Sequence, residues 1–191
     1  KNLRGTVLPF RYNQVDELES LLKEQDIGVI KMEVSRNVEP ALGYLERVRE
    51  LATQRGIVLI FDECTSGFRE TFGGLHKKYG VEPDMAIFGK ALGNGYAITA
   101  AIGRREVMEA AQSTFISSTF WTERIGPTAA LKTLEVMEQE KSWECITQIG
   151  SDITARWKEL ANKYNLRINT AGLPAITSFS FDSPNNLAYK T

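Results

Sequence analysis

Histidine is nearly absent from this sequence and cysteine is scarce: one of the first and two of the second in 191 residues. The two cysteines, Cys64 and Cys145, make no disulfide framework, and with a single histidine they make no zinc cluster. Net charge is missing too. Twenty-three Lys+Arg stand against 24 Asp+Glu, a balance of −1, which leaves no electrostatic footprint for nucleic acid or an anionic membrane. No apolar run approaches the roughly 20 residues of a membrane-spanning helix, and no stretch reads as a signal peptide. These absences predict a protein of the reducing cytoplasm with neither nucleic-acid nor membrane partners. What is present is ordinary for a globular domain: 42% hydrophobic and 25% charged residues, a composition that excludes disorder. At about 100–200 residues per domain, the length predicts one domain, or one and part of a second. A start at Lys1 and an end just past a strand suggest a piece of a longer chain.

Periodicity then gives the elements. Apolar residues at helical spacing predict helices over 15–25 and 40–55, the second opened by Pro40, carrying Leu42, Leu45, Val48 and Leu51 on one face and closed by Gly56. The short apolar runs Ile27–Met32 and Ile57–Phe61 read as strands, the latter continuous enough to be buried on both faces. Met85–Phe88 and Ile98–Ile102 read as two more. Helices are expected at 106–112, 127–139 and 142–164, the last with Trp143, Ile146, Ile149, Ile153, Trp157 and Leu160 on a core-facing stripe. Alternating segments at 166–170 and 175–181 read as half-exposed strands. Strand–helix–strand order implies an α/β fold with a mostly parallel sheet and right-handed crossovers. The change of character near residue 140 divides the chain into 1–140, a sheet-bearing domain, and 141–191, the start of an α+β domain.

Three constellations carry chemistry. Asp62-Glu63 ends the most apolar strand, where open α/β sheets bind ligands. A carboxylate there suits a metal or a protonated ring nitrogen, or else caps a turn. Lys90 follows the next strand inside Gly89-Lys-Ala-Leu-Gly-Asn-Gly95. Desolvated, it would be a nucleophilic amine; solvated, an ordinary loop lysine. Ser117 to Pro127 brings hydroxyls to a helix start, which suits a phosphate or plain capping. The P-loop pattern fails, since Asp84 and Ala91 stand where Gly and Ser/Thr belong, and the dinucleotide fingerprint fails at Ile98. Val58–Glu63 is like the acid-bearing strand of an ATPase, which leaves nucleotide hydrolysis as a rival. His76, with no ligand spacing around it, reads as a solvated helix residue, and Cys64 as a small packing residue. Trp121 either lines a pocket or packs, and Trp143 and Trp157 read as core.

The series Asp62-Glu-Cys-Thr-Ser-Gly67-Phe68-Arg69, Pro83-Asp84, Gly89-Lys90, Gly93-Asn-Gly95 and Gly103-Arg104-Arg105 resembles the class III (omega-type) aminotransferases. These are pyridoxal-phosphate enzymes of fold type I, and the subfamily most resembled is glutamate-1-semialdehyde 2,1-aminomutase. The spacing from Asp62 to Lys90 is also similar, with no gap needed. The resemblance implies a fold type I large domain and pyridoxal 5'-phosphate as cofactor. It implies Lys90 as the internal-aldimine lysine and proton shuttle, and Asp62 as partner of the pyridinium nitrogen. Glu33 matches the family's Glu-Pro turn, with Val34 in place of the proline, and Ser35 or Asn37 would approach the ring hydroxyl. A threonine from the partner subunit would bind the cofactor phosphate: Thr122 by ungapped alignment, Thr119 by the local Thr-Phe pattern. It further implies a homodimer with a shared active site and a small amino acid or amino-sugar-like substrate. Ala97 and Thr99 replace the family's usual proline and glycine near the substrate mouth, so amino transfer and aminomutase chemistry both stay open. So does a third outcome, in which the 191 residues fold without turning over because part of the cofactor cup lies elsewhere.

Overall fold

A computed structural model describes residues 5–35, 37–120 and 122–182. The elements run α1 (Val15–Glu24), β1 (Val29–Glu33), α2 (Tyr44–Arg55), β2 (Val58–Asp62), α3 (His76–Tyr79), β3 (Met85–Phe88), β4 (Ala100–Gly103), α4 (Arg105–Met108), α5 (Ile125–Glu140), α6 (Ser142–Lys163), β5 (Ile168–Ala171) and β6 (Ser178–Phe181). The first four strands form one sheet in the order β1-β2-β3-β4, and β5 pairs with β6 in a second. β1, β2 and β3 are parallel neighbours, as their helical connections require.

β4 departs from the expected crossover and runs antiparallel to β3, with Ile87 opposite Ala101. The cause is connection length. Only residues 89–99 join the two strands, and they hold a single 3-10 turn, Lys90–Leu92, too little for a return to a parallel start. Other boundaries also move. α2 begins at Tyr44 because Gly43 turns left-handed at φ 77°, so Pro40 lies outside the helix. Leu42, expected on its apolar face, is fully exposed. The helix expected at 106–112 is one α-turn followed by a 3-10 turn, Glu109–Ser113.

The main core lies between α1, α2 and one face of the sheet. Leu18 and Leu22, Leu45, Val48 and Leu51, and Ile30, Leu59 and Phe61 are all buried. β2 is covered on that face alone. Leu59 and Phe61 are inaccessible, but Val58, Ile60 and Asp62 are only half-buried, so the expectation of burial on both faces is corrected. The uncovered face is the one that carries charge. A second cluster joins Phe68, Phe88 and Leu92 to Ala130 of α5.

α6 has the expected length, yet its apolar stripe is only partly covered. Ile149, Ile153 and Leu160 stay exposed. Trp143 and Trp157 are half-buried rather than core, stacking on Phe72 at 5.4 Å and on Phe179 at 5.0 Å. The tightest helix contact is at Gly150, where a Cβ would lie 1.8 Å from the carbonyl oxygen of Pro174. Backbone cannot yield as a flexible side chain does, so Gly150→Ala should cost about 1–3 kcal/mol. The check is the urea unfolding midpoint; an unchanged midpoint would show that α6 can shift freely.

Candidate active site

β2 and β3 deliver Asp62 and Lys90 to the same end of the sheet. Asp62 is the last residue of β2 and lies opposite Ile87. The backbone N–H of Glu63 then bonds the Ile87 carbonyl at 2.8 Å, holding the two strand ends together. β3 ends at Phe88, and Gly89 leads into Lys90. A side chain at 89 would press on Thr99 and Cys64, at 3.3 and 3.4 Å, so glycine there makes room for the approach of three segments.

Lys90 adopts φ 45°, a left-handed conformation uncommon outside glycine and associated with functional sites. Its side chain is exposed, not desolvated as the apolar run before it suggested. The Nζ donates to the Thr65 hydroxyl at 2.6 Å. Among the described residues no carboxylate pairs with it, so the amine is not neutralised by an acid. Lys90, Phe68, Arg69, Asn94 and Met137 line a cleft of about 570 Å³ between the loop after β2 and α5.

Asp62 does not line that cleft; it opens on the half-covered face of the sheet. Lys31 Nζ donates to its Oδ2 at 2.6 Å, and the Cys64 N–H to its Oδ1 at 3.2 Å. Burial pushes its carboxyl up, but these two donors outweigh burial and hold it below the usual carboxylate range. The Cys64 thiol is pushed up by burial and by neighbouring Asp62, while Lys90 and Lys31 pull the other way. Cys64 thus lies within the fields of the acid and both lysines.

The other anticipated residues are placed unevenly. Glu33 is brought in, directly opposite Asp62 at the end of β1. Asn37 is exposed on the following turn, and Ser35 spends its hydroxyl on the Val38 carbonyl of that turn at 3.1 Å. Thr119 and Thr122 are exposed on the segment before α5, and neither hydrogen-bonds Asp62 or Lys90. Trp121 lies outside the described residues.

His76 overturns its surface reading. It is 7% exposed, and its Nδ1 lies 2.9 Å from Glu63 Oε1, which also accepts the His76 backbone N–H at 3.0 Å. A carboxylate only accepts, so Nδ1 carries the proton. Ser66 donates to the other oxygen of Glu63. A Cβ at Gly74 would sit 2.3 Å from the imidazole, so this glycine is the space that the ring fills. Glu63 is fully buried and folds the loop beyond β2 around itself, setting Thr65 under Lys90. Sequence reasoning missed three parts of this: Thr65, the Glu63–His76 pair and Lys31. Only Lys31 left a visible signal, as the one charge inside an apolar strand run.

The donor set suits pyridoxal phosphate. An amine unclaimed by acid can hold an aldehyde, and a carboxylate held ionised can hold a protonated ring nitrogen. The architecture is that of the type I pyridoxal-phosphate-dependent transaminases. It superposes on the internal aldimine form of FumI from Sphingopyxis sp. MTA144 with a TM-score of 0.85 at 23% identity, covering 90% of this chain and 44% of that one. It superposes on ornithine delta-aminotransferase of Plasmodium falciparum with a TM-score of 0.79 at 24% identity, covering 92% and 47%. The chain belongs to the class III aminotransferase family, whose sequence model matches residues 35–190. A curated relative, 3-aminobutyryl-CoA aminotransferase of Cloacimonas acidaminovorans (strain Evry), is 37% identical over 193 residues, covering 96% of this chain and 47% of that protein. The chain therefore spans about half the length of this relative. Among the described residues no helix is long and apolar enough to cross a membrane, and no three His, Cys, Asp or Glu form a metal-binding group.

Proposed function

We propose that this chain carries the lysine and the ring-nitrogen acid of a pyridoxal-phosphate-dependent aminotransferase. The observation that carries the reading is the delivery of Lys90 and Asp62 to adjacent parallel strand ends. The lysine is unpaired with any described acid, and the carboxylate is ionised. When bound, pyridoxal 5'-phosphate supplies an electron sink for the electrons released at the substrate carbon. Lys90 Nζ holds the cofactor through its aldehyde. As a free amine, Nζ would also serve as the base that takes the proton from the substrate carbon and the acid that returns it. Asp62 holds the proton on the ring nitrogen, and Thr65 keeps Nζ in place between these tasks.

The substrate belongs to the small amino compounds. β-Amino acyl donors come first in a donor screen, since the curated relative is named for 3-aminobutyryl-CoA. The aminomutase variant of the same proton transfer would need the product to stay in the site. The changes at Ala97 and Thr99 favour simple transfer. A homodimer in the cytoplasm, with Thr122 or Thr119 reaching the partner's cofactor phosphate, belongs to the same proposal. Its support is the exposure of both threonines on a segment that also exposes Phe115 and Phe120. So does a division near residue 140, where the four-stranded sheet gives way to α6 and the β5–β6 pair. The test is borohydride reduction of the full-length protein with pyridoxal phosphate, followed by peptide mapping. The label should fall on Lys90; a label on another lysine would sink the reading.

A further inference from the structure

Lys31 is a charged residue beside the site that the proposed chemistry leaves unused. It lies in β1 with Ile30 and Met32 buried on either side. Strand alternation puts it on the opposite face, with Glu33. Across the ladder Lys31 faces Ile60 and Glu33 faces Asp62, so Lys31 stands one pleat behind the acid and reaches forward to Oδ2 at 2.6 Å. The other oxygen already accepts the Cys64 N–H. The titratable groups that face Asp62 are therefore Lys31 and Glu33 from β1 and Cys64 from the loop, and the field of Lys90 reaches Cys64.

We propose that Lys31 is a positioning residue for the ring-nitrogen site: it claims one oxygen of Asp62 and partly neutralises it, so the ring nitrogen is held protonated less firmly than an unclaimed aspartate would hold it. The inference rests on Asp62 being the ring-nitrogen partner. Two effects act in one direction. The lysine lowers the proton affinity of the carboxylate, and its own charge opposes a second cation nearby. Water limits the size of both. The Lys31 side chain is 53% exposed and that of Asp62 24%, so the ring-nitrogen titration should move by roughly half a pH unit.

The experiment compares wild type, Lys31→Met and Lys31→Arg in the full-length protein. In cofactor-free protein, carbon NMR of the Asp62 carboxyl should show its midpoint rising in Lys31→Met and staying near wild type in Lys31→Arg. With ring-15N pyridoxal phosphate bound, the ring-nitrogen midpoint should move up in Lys31→Met by roughly half a pH unit. A lysine that only braced the sheet would change the urea midpoint and neither titration. An unchanged Asp62 midpoint overturns the pairing. Asp62→Asn separates the two ideas. If it lowers ring-nitrogen protonation while Lys31→Met does nothing, the role of Lys31 falls and that of Asp62 stands. If it leaves the ring nitrogen unaffected, both fall.

Discussion

Lys90→Ala should lose amino transfer by at least about a thousandfold, the upper part of the range for removing a positioned acid–base group, since on the proposed function the same group also holds the cofactor. The fold should be untouched. The Lys90 side chain is exposed and its one side-chain hydrogen bond among the described residues goes to a hydroxyl, so stability should stay within about 0.5 kcal/mol of wild type. Lys90→Arg sharpens the test. It keeps the charge and the reach toward Thr65, yet a guanidinium stays protonated and cannot condense with an aldehyde, so it should be as inactive as alanine. A Lys90→Ala protein that kept a tenth of the wild-type turnover would mean another amine does the work.

Glu63→Gln should give the largest loss of stability, about 2–3 kcal/mol at pH 7. The carboxylate accepts two hydrogen bonds from His76 and one from Ser66. An amide turns one acceptor into a donor that faces donors. The pH dependence follows from the direction of the shift. Burial raises the Glu63 carboxyl, but the donors of His76 and Ser66 outweigh burial and hold it below the ordinary 4.5. A group whose folded value is depressed contributes fully above its unfolded value and loses that contribution as pH falls through the folded one. Wild type should therefore lose stability below about pH 4.5, and the glutamine variant should lack that part of the acid limb. Urea unfolding at pH 7 and at pH 4 measures both. Equal midpoints at pH 7 would mean the buried carboxylate is dispensable.

β2 and β3 are readable nearly to the residue because each is an apolar run ended by a change in polarity, although only alternate residues of each are buried. Asp62 and Lys90 stand at those endings, so the pair could be picked out without coordinates. β4 was legible as a strand but not in direction, since direction depends on what a short connection can span. His76 was misread because it sits beside Lys77 and Lys78 on a helix of a single turn. The carboxylate that buries it, Glu63, is far back in sequence, and only the cavity left by Gly74 brings them together. Lys31 and Asp62 are also remote in sequence. Their meeting needs the register of β1 on β2, which no local pattern contains.

The turn that carries Lys90 sets one more condition. Its backbone is crowded at both glycines: a side chain at 93 would strike the Tyr96 carbonyl at 2.2 Å, and one at 89 would crowd Cys64 and Thr99. The backbone of Lys90 is thus held in its left-handed turn while its side chain runs along the cleft to the Thr65 hydroxyl. This is the geometry of a crane on a fixed mast. On the proposed function a single amine serves two carbons in succession, so the rate of proton delivery should follow the torsions of one side chain.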